Sequence, residues 1–530
     1  MNPNLIVHNA KIYTVNPANP WAQAVACANG RVLAVGRNAD ILPLAGPNTR
    51  QIDAGGKLLL PGFTDAHVHF LQYAIRQRQV SLFGLHNFDD VRRRLQQAVA
   101  QAQPGLWIEG WGWDEHRWDV QPTAALLDEI APDIPVALAR VDMHTWWANS
   151  AALKQAGITR HTPNPPESRI ERDADGNPTG LLREWNAIAL VRQHLPRPNS
   201  ATLRRWLRQA ISQVHRLGIT GIHDQRVERE GRQSARLWQS LRRAKELELR
   251  VHMNIAAEFL PEISTLGLQP GFGDDRLWLG HIKAFADGTM GSQTALMLAP
   301  FEGSTDNTGL VVTSAQQLGE LAAQARRAGF SLSVHAIGDR AVRDTAHVMA
   351  EFPPDTESGQ LPHRIEHVQL VHPTDLTLLA QHGIFASVQP VHLHLDWRTA
   401  KKVWGRRART NYAFRSLHRA GTPLAFGSDA PVAPINPMLG IHAALTRQDT
   451  EGQPAGGYYP EEKLSLETVI HAYTAGPAAL AGKSAVQGSI SPGKWADMIL
   501  LNQNLFEIEP DDIQHASVAL TVFNGQVVFE

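Results

Sequence analysis

Short hydrophobic runs alternate with longer amphipathic stretches through the middle of the chain. The amphipathic stretches, for example 314–329 and 372–383, follow the helical period and end on glycine. The runs that resemble buried strands are GFTDAHVHF (62–70), GITGIHD (218–224), LRVHMNI (249–255), LGHIKAFADG (279–288), FSLSVHAIGD (330–339), HRIEHVQ (363–369), GIFASVQP (383–390) and TPLAFGSDAP (422–431). This alternation predicts a parallel α/β architecture, and eight strands with intervening helices predict a (β/α)₈ barrel.

The two ends of the chain have a different pattern, in which short β-like runs are separated by turns. Asn29-Gly30 near the start and Asn524-Gly525 near the end are both strong hairpin signals. We therefore expect one small β-sandwich made from both termini. The predicted domains are 1–60 and 480–530 for the sandwich and 61–479 for the barrel.

The stretch from about 85 to 195 is too long for one barrel crossover. It contains strand-like runs of its own at 105–113 and 134–142, followed by a segment rich in proline and glycine at 162–180. We interpret it as an insertion that caps the mouth of the barrel.

Composition excludes several classes of partner and site. Lys+Arg 50 against Asp+Glu 51 gives a formal net charge of -1, which offers no basic surface for nucleic acid or for an anionic membrane. The single cysteine, Cys27, excludes an intramolecular disulfide and a cysteine-rich zinc module. No long apolar run or signal-like segment is present, so we expect a cytoplasmic protein that acts on a small molecule. The oligomeric state is open, with a homodimer as one candidate.

Polar residues recur at the ends of the predicted barrel strands. His67 and His69 are two positions apart, so in a strand they project from the same face. Strand ends in a barrel surround one mouth, where active sites lie. The other polar side chains in this position are Lys283, His335, His367 and Asp429. Imidazoles with oxygen donors and no thiolate suit zinc best, with manganese, iron and cobalt as alternatives.

Two of these positions, and one further histidine at a strand end, have alternative interpretations. An ammonium group has no lone pair, so Lys283 can serve a metal only if carbon dioxide converts it to a carbamate, and otherwise it is an ion-pair partner, for example of Asp287. Asp429 precedes Pro431 and could be a helix N-cap. His223, at the end of the second strand, could be a core histidine.

Several motifs together resemble one known family. PGFTDAHVHF, VHAIGDRAV, RIEHVQ and AFGSDAPV resemble the motifs of the amidohydrolase superfamily. IKAFADGTMGSQTAL and PTGLLRE are similar to its amidohydrolase-3 branch, which includes the YtcJ-like proteins and the N-substituted formamide deformylases. The resemblance extends over essentially the whole chain and implies a metal-dependent barrel joined to a β-sandwich.

The resemblance also implies roles for individual residues. His67, His69, His335 and His367 would bind one or two divalent metal ions, Lys283 would be the carbamylated bridge, and Asp429 would be both a ligand and the catalytic acid/base. Branches of the superfamily differ at the fourth-strand position and in the number of metals, so one ion or two is left open. The implied reaction is hydrolysis of a C–N bond in an amide, formamide or cyclic amide by metal-activated hydroxide. The alternatives are hydrolysis of a lactone or ester, and a relative that binds metal without catalysis.

Aromatic residues are dense in the insertion, in WGWDEHRW (111–118) and HTWWANS (144–150). Trp113 and Trp147 could line an apolar substrate pocket, or they could pack the core of the insertion. His144 could donate a hydrogen bond to a substrate carbonyl. If the tryptophans line a pocket, the substrate has an apolar or aromatic substituent.

Overall fold

The computed structural model describes residues 2–85, 87–102, 107–115, 118, 120–140, 145–166, 168–196, 198–225 and 231–530. They form two compact units, one of Met1–Tyr73 with Leu207–Glu530 and one of Ala74–Trp206. No α-helix in these described ranges is long and apolar enough to span a bilayer.

The first unit contains the predicted eight-stranded parallel sheet, so the barrel prediction is confirmed. Each strand pairs in parallel with its neighbours in chain order. The strands are β1 Phe63–Val68, β2 Ile219–Asp224, β3 Arg250–Ala256, β4 Leu277–Phe285, β5 Leu332–Ala336, β6 Arg364–His367, β7 Phe385–Val388 and β8 Leu424–Phe426.

Helices connect these strands as the α/β pattern predicts. The α-helices of this unit are Asn38–Ile41, Phe70–Arg76, Ser200–His215, Gly231–Arg243, Leu260–Thr265, Ala315–Arg327, Asp339–Glu351, Leu378–Gln381, His392–Trp404, Phe414–Arg419, Pro437–Thr446, Leu466–Tyr473 and Ala475–Leu480, with Phe70–Arg76 ending and Ser200–His215 beginning in the other unit. The helix predicted at 314–329 is present, and Ser314 begins it with a capping box to Gln317. The helix predicted at 372–383 is instead a 3₁₀ turn followed by four helical residues.

Both termini contribute to a pair of β-sheets, as predicted. One sheet has the order Gln526–Phe529, Val518–Phe523, Met498–Leu501, Leu58–Pro61, Lys11–Tyr13 and Trp21–Ala22, and the other has the order Arg31–Gly36, Ala24–Ala28, Leu5–His8 and Arg50–Asp53. The sheets share one hydrophobic core, which includes Val7, Cys27 and Met498. Asn29 and Gly30 have φ of 51° and 77°, the left-handed conformation that a tight hairpin requires.

A buried ion pair joins the barrel to this β-sandwich. The Arg250 guanidinium at the start of β3 pairs with Asp497, and the two side chains are 1% and 6% exposed. Arg250 also lies 3.8 Å from the ring centroid of Trp495, while Asp497 accepts a 2.8 Å hydrogen bond from the backbone N–H of Asn524. The two charges are therefore compensated without solvent, which fixes the sandwich against the barrel.

The second unit, residues 74–206, has a mixed six-stranded sheet of its own. The strand order is Arg169–Arg172, Pro178–Arg183, Thr145–Ala148, Val136–Arg140, Ile108–Trp113 and Val80–Ser81, with helices Phe88–Gln101, Ala124–Asp128, Ser150–Gln155 and Trp185–Arg192. The two strands predicted within the insertion are present, and the unit extends beyond the predicted 85–195 at both ends. That the unit caps the barrel mouth stays a prediction.

The barrel closes where the chain after β8 meets β1. The backbone N–H of Asp429 donates to the carbonyl of His67 over 2.6 Å, and the N–H of His69 donates to the carbonyl of Ala430 over 2.9 Å. The Asp65 carboxylate accepts from the backbone N–H and the hydroxyl of Ser428. A side chain at Gly427 would meet the backbone nitrogen of His67 at 2.4 Å, so only glycine permits this approach.

We expect Gly427→Ala to destabilise the protein, because its Cβ would push the end of β8 away from β1. Overpacking of this kind costs about 1–3 kcal/mol in the free energy of unfolding. Denaturant titration would measure the loss, with Gly291→Ala as the control because that position faces open space. Equal stability of the two variants would contradict the close-approach argument.

Candidate metal centre

The histidines and the aspartate predicted at the strand ends lie together. Ligand atoms of His67, His367 and Asp429 are all within 4.8 Å of one another, and all three residues are buried. His69 Nε2 lies 3.2 Å from Asp429 Oδ1, and the His335 ring centroid lies 4.6 Å from that of His367. The fold therefore gathers four imidazoles and one carboxylate at one end of the barrel.

Two of these residues have an unusual backbone conformation. His367 has φ 74° and Asp429 has φ 60°, both in the left-handed region that non-glycine residues rarely adopt. Each costs on the order of 1 kcal/mol and persists only where the surrounding structure enforces it. Here the conformation turns both side chains into the cluster at the end of their strands.

Hydrogen bonds fix which nitrogen faces the cluster in three of the four imidazoles. His67 Nδ1 lies 2.6 Å from Glu366 Oε2, and His367 Nδ1 lies 2.7 Å from Gln389 Oε1. Both acceptors place the proton on Nδ1 and leave the Nε2 lone pair for a metal. His335 has the opposite arrangement, because its Nε2 donates to the Gly288 carbonyl over 2.9 Å and its Nδ1 carries the lone pair.

The carboxylate that orients His67 is itself paired with a buried arginine. Arg364 contacts both oxygens of Glu366, and neither residue is exposed. Burial alone would raise the pKa of Glu366, but the charge of Arg364 and the contact with His67 outweigh it and hold that pKa well below its usual range. Glu366 is therefore a carboxylate and can only accept the His67 proton.

Asp429 lies beside two of these histidines. Its Oδ1 lies 3.4 Å from His67 Nε2 and 3.2 Å from His69 Nε2. Burial would raise its pKa, but His67 and then His69 outweigh burial and lower it well below the usual range. The helix N-cap alternative is wrong, because the next helix, Pro437–Thr446, is capped by Asn436.

Lys283 lies inside the barrel in β4. Its ammonium has no hydrogen-bond partner among the described residues, and burial lowers its pKa to about 8. Asp287 is not its ion-pair partner, since that carboxylate accepts from the backbone N–H groups of Leu296, Ile337 and Gly338. Burying an ammonium without a hydrogen-bond partner is costly, so Lys283 is a candidate for conversion to a carbamate.

Of the residues predicted to bind substrate, the structure describes the two tryptophans. Trp113 and Trp147 are 1% and 0% exposed in the core of the second unit, and their indole N–H groups donate to the carbonyls of Leu138 and Thr123. This placement favours the packing role over the pocket role. His144 lies outside the described residues.

The structure adds an aromatic residue to the site that sequence reasoning missed. Phe285, at the end of β4, has its ring centroid 5.3 Å from that of His335 and 4.9 Å from Lys283 Nζ. It is 36% exposed, so its ring borders the cluster and faces solvent. A phenylalanine at the end of a strand gave no signal that distinguished it from a core residue.

His223 is a core histidine, as the sequence analysis allowed. Its Nδ1 accepts from Arg364 over 2.9 Å, and its ring centroid lies 4.4 Å from that of His252. His252 Nδ1 accepts from Trp278, so its Nε2 donates to His281, which in turn donates to the Pro362 carbonyl. Burial first, and then the charge of Arg364, lower the pKa of His223 well below its usual value.

The donors present fit a divalent metal ion. They are imidazole nitrogens and carboxylate oxygens, and in His67, His335 and His367 a hydrogen bond holds the ring proton on the atom away from the cluster. Glu366, Gln389 and Arg364 were not identified from the sequence, although two charged residues two positions apart in a buried strand (RIEH) are a usable signal.

We expect Glu366→Gln to weaken divalent-metal binding by about 10–100-fold, the usual effect of losing a residue that orients a metal ligand. A glutamine amide can donate to His67 Nδ1, which moves the imidazole proton to Nε2 and blocks the lone pair. Competition with a chelating dye would measure the affinity, with the exposed Glu320→Gln as control. Unchanged affinity in the folded variant would show that Glu366 does not fix the tautomer.

Comparison with known proteins agrees with this arrangement. The family model described as “Amidohydrolase family”, of the amidohydrolase-3 branch, matches residues 50–529. The chain is 33% identical to Protein LONG AFTER FAR-RED 3 of Arabidopsis thaliana, over 99% of this chain and 91% of that protein. It is 30% identical to the putative amidohydrolase YtcJ of Bacillus subtilis, over 99% of both chains. It is 27% identical to the N-substituted formamide deformylase of Arthrobacter pascens, over 99% of this chain and 98% of that protein.

A solved structure has the same fold over nearly the same length. It is an uncharacterized metal-dependent hydrolase from Pyrococcus horikoshii, with a TM-score of 0.77 and 25% identity over 96% of this chain and 99% of that one. The resemblance drawn from the motifs is confirmed, and the chain belongs to the amidohydrolase family, in its amidohydrolase-3 branch, as a metal-dependent hydrolase.

Proposed function

We propose that this protein hydrolyses the C–N bond of an amide, with N-substituted formamides as the first substrates to test. The observation that carries the proposal is the Asp429 carboxylate, which is held in a rare backbone conformation with Oδ1 beside His67 and His69. A protein that only bound metal would not need a proton acceptor held in this way. The similarity to an N-substituted formamide deformylase along the whole chain supports the substrate class.

Asp429 is the residue proposed to move the proton. A divalent metal, with zinc the first candidate, lowers the pKa of a water molecule it binds and polarises a carbonyl. His67, His69, His335 and His367 would hold it. The lowered pKa of Asp429 keeps its carboxylate ionised at neutral pH, so it can accept a proton and then give it to the leaving amine.

Lys283 is proposed to act as a carbamate. The amine adds to carbon dioxide, a C–N bond forms, one proton leaves, and the product is an anion with two oxygen donors. The buried Nζ, which has no hydrogen-bond partner among the described residues, supports this step, because an anion at this position can pair with a metal ion where an ammonium cannot. The number of metal ions follows from whether the carbamate forms.

Ester or lactone hydrolysis uses the same groups and is the alternative reaction. A carbonyl with an oxygen leaving group is attacked more easily and needs less help from Asp429 as an acid. A relative that binds metal without turnover is the other alternative. The cytoplasmic location, the small-molecule substrate and the homodimer stay predictions.

We expect the zinc-loaded protein to hydrolyse N-substituted formamides, and a chelator to abolish the reaction. Asp429→Asn should lower kcat by ~10²–10⁴-fold, since an amide cannot accept the proton. Amine release from formamides, N-acyl amines and lactones would be measured alongside metal content. Full activity of metal-free protein, or a D429N variant above about a third of the wild-type rate, would refute the proposal.

We also expect Phe285, rather than the tryptophans of the second unit, to determine any preference for apolar substituents. An N-benzyl formamide should exceed its N-methyl analogue in kcat/KM by at least about tenfold, because the benzyl group can pack on the exposed ring. Phe285→Ala should narrow that ratio. Trp113→Ala should leave the ratio unchanged but cost about 3–5 kcal/mol of stability as a core truncation. If Trp113→Ala narrowed this kcat/KM ratio and Phe285→Ala did not, the interpretation that the tryptophans line the substrate pocket would be favoured again.

A further inference from the structure

His392 lies beside the Asp429 carboxylate but has no role in the proposed function. It is the first residue of the helix His392–Trp404, which follows β7, and it is 5% exposed. Its ring stacks on that of His367, with centroids 6.2 Å apart and planes 14° from parallel. Its Nε2 lies 3.7 Å from Asp429 Oδ2 and has no hydrogen-bond partner among the residues that the structure describes.

The neighbours of the ring indicate where its proton lies. The Gln369 side-chain amide faces His392 Nδ1 at 3.4 Å as a donor, which leaves Nε2 as the protonated nitrogen. Gln369 is anchored through its backbone, since its carbonyl accepts from Asn411 Nδ2 and from the N–H of Tyr412. His392 therefore directs an N–H group at Asp429.

The 3.7 Å between His392 Nε2 and Asp429 Oδ2 is too long for a hydrogen bond. The His392 N–H group is nevertheless too deeply buried to be left without an acceptor. An unsatisfied buried donor costs about 1–3 kcal/mol, and hydrogen bonds to a charged acceptor are among the stronger ones. A small side-chain rotation would bring Nε2 and Oδ2 into contact. Oδ1 already faces His67 and His69, so the two oxygens of Asp429 have different neighbours.

We propose that His392 is a positioning residue that donates to Asp429 Oδ2 and thereby keeps Oδ1 turned towards His67 and His69. The inference rests on the proposed function, in which Asp429 carries the proton. His392 is not proposed as a metal ligand or as a group that touches substrate. Its effect is to restrict the rotation of the carboxylate.

The test uses three substitutions that separate the donor from the ring. In His392→Gln the amide nitrogen can reach the position of Nε2, whereas in His392→Asn it reaches only the position of Nδ1. His392→Ala removes both. His394→Ala is the matched control, because His394 lies in the same helix and its Nε2 faces His442 Nδ1 at 3.3 Å.

Loss of the donor should lower kcat by about 10–100-fold with KM and metal content little changed, since a small misplacement of a catalytic group can cost a factor of this size. Glutamine should restore most of kcat, and asparagine and alanine should not. The control should stay within about threefold of the wild type. Equal rates for the Gln and Asn variants, or an Ala variant near the wild-type rate, would overturn the proposal.

A second measurement needs no substrate and separates this proposal from the proposed function. The absorption spectrum of the cobalt(II)-loaded protein reports the coordination of the metal. We expect it to change in the Ala and Asn variants, where the carboxylate can rotate, and to be preserved in the Gln variant and the control. Wild-type protein that hydrolyses no amide but gives this pattern would refute only the proposed function. Identical spectra in all variants would refute the positioning role.

Discussion

One buried ion pair, Arg364 with Glu366, organises the interior of the barrel. Arg364 donates to the carbonyl of Ala66 in β1, to His223 in β2 and to Ser387 in β7, while Glu366 accepts from His67 in β1 and from Ser333 in β5. With β6 itself, five of the eight strands meet at this pair. Two charges in an apolar interior are stabilising only when every hydrogen-bonding atom is engaged, and these contacts come close to that condition. The ion pair therefore also constrains the register of these strands.

The same pair determines the chemistry at the barrel end. Because Glu366 is ionised, His67 must present Nε2 to the cluster, and because Arg364 is a donor, His223 must accept with Nδ1. A separate chain of neutral rings begins at Trp278 and runs through His252 to His281 and the Pro362 carbonyl. A Cβ at Gly280 would lie 2.2 Å from His252 Nε2, so the chain also requires a glycine in β4. These hydrogen bonds define the tautomer of each of these histidine rings inside the barrel.

Sequence reasoning succeeded where a pattern is local and failed where it depends on tertiary contacts. The eight strands and the first H-x-H pair were predictable, because a strand of period two places His67 and His69 on one face. His392 and His394 have the same spacing, but they lie in a helix, where residues two apart diverge, so one faces His367 and the other His442. Trp113 and Trp147 could not be assigned from the sequence, because whether an aromatic residue lines a pocket or a core depends on which elements pack around it.

Burial makes this cluster a better site for a metal ion than for protons. Desolvation first, and then the charge of Lys283, lower the pKa of His335 to about 4, and burial with the neighbouring His335 lowers that of His367 well below its usual value. At neutral pH both rings keep their lone pairs, so protons do not compete with a cation for them. In acid the same lowered pKa values destabilise the folded state. Below the ordinary imidazole pKa the unfolded chain binds protons that the buried rings do not bind, so the free energy of unfolding decreases as the pH falls through that range. The strain at His367 and Asp429 adds to this cost, and a bound divalent ion offsets both, because it binds the same lone pairs only when the strands are assembled.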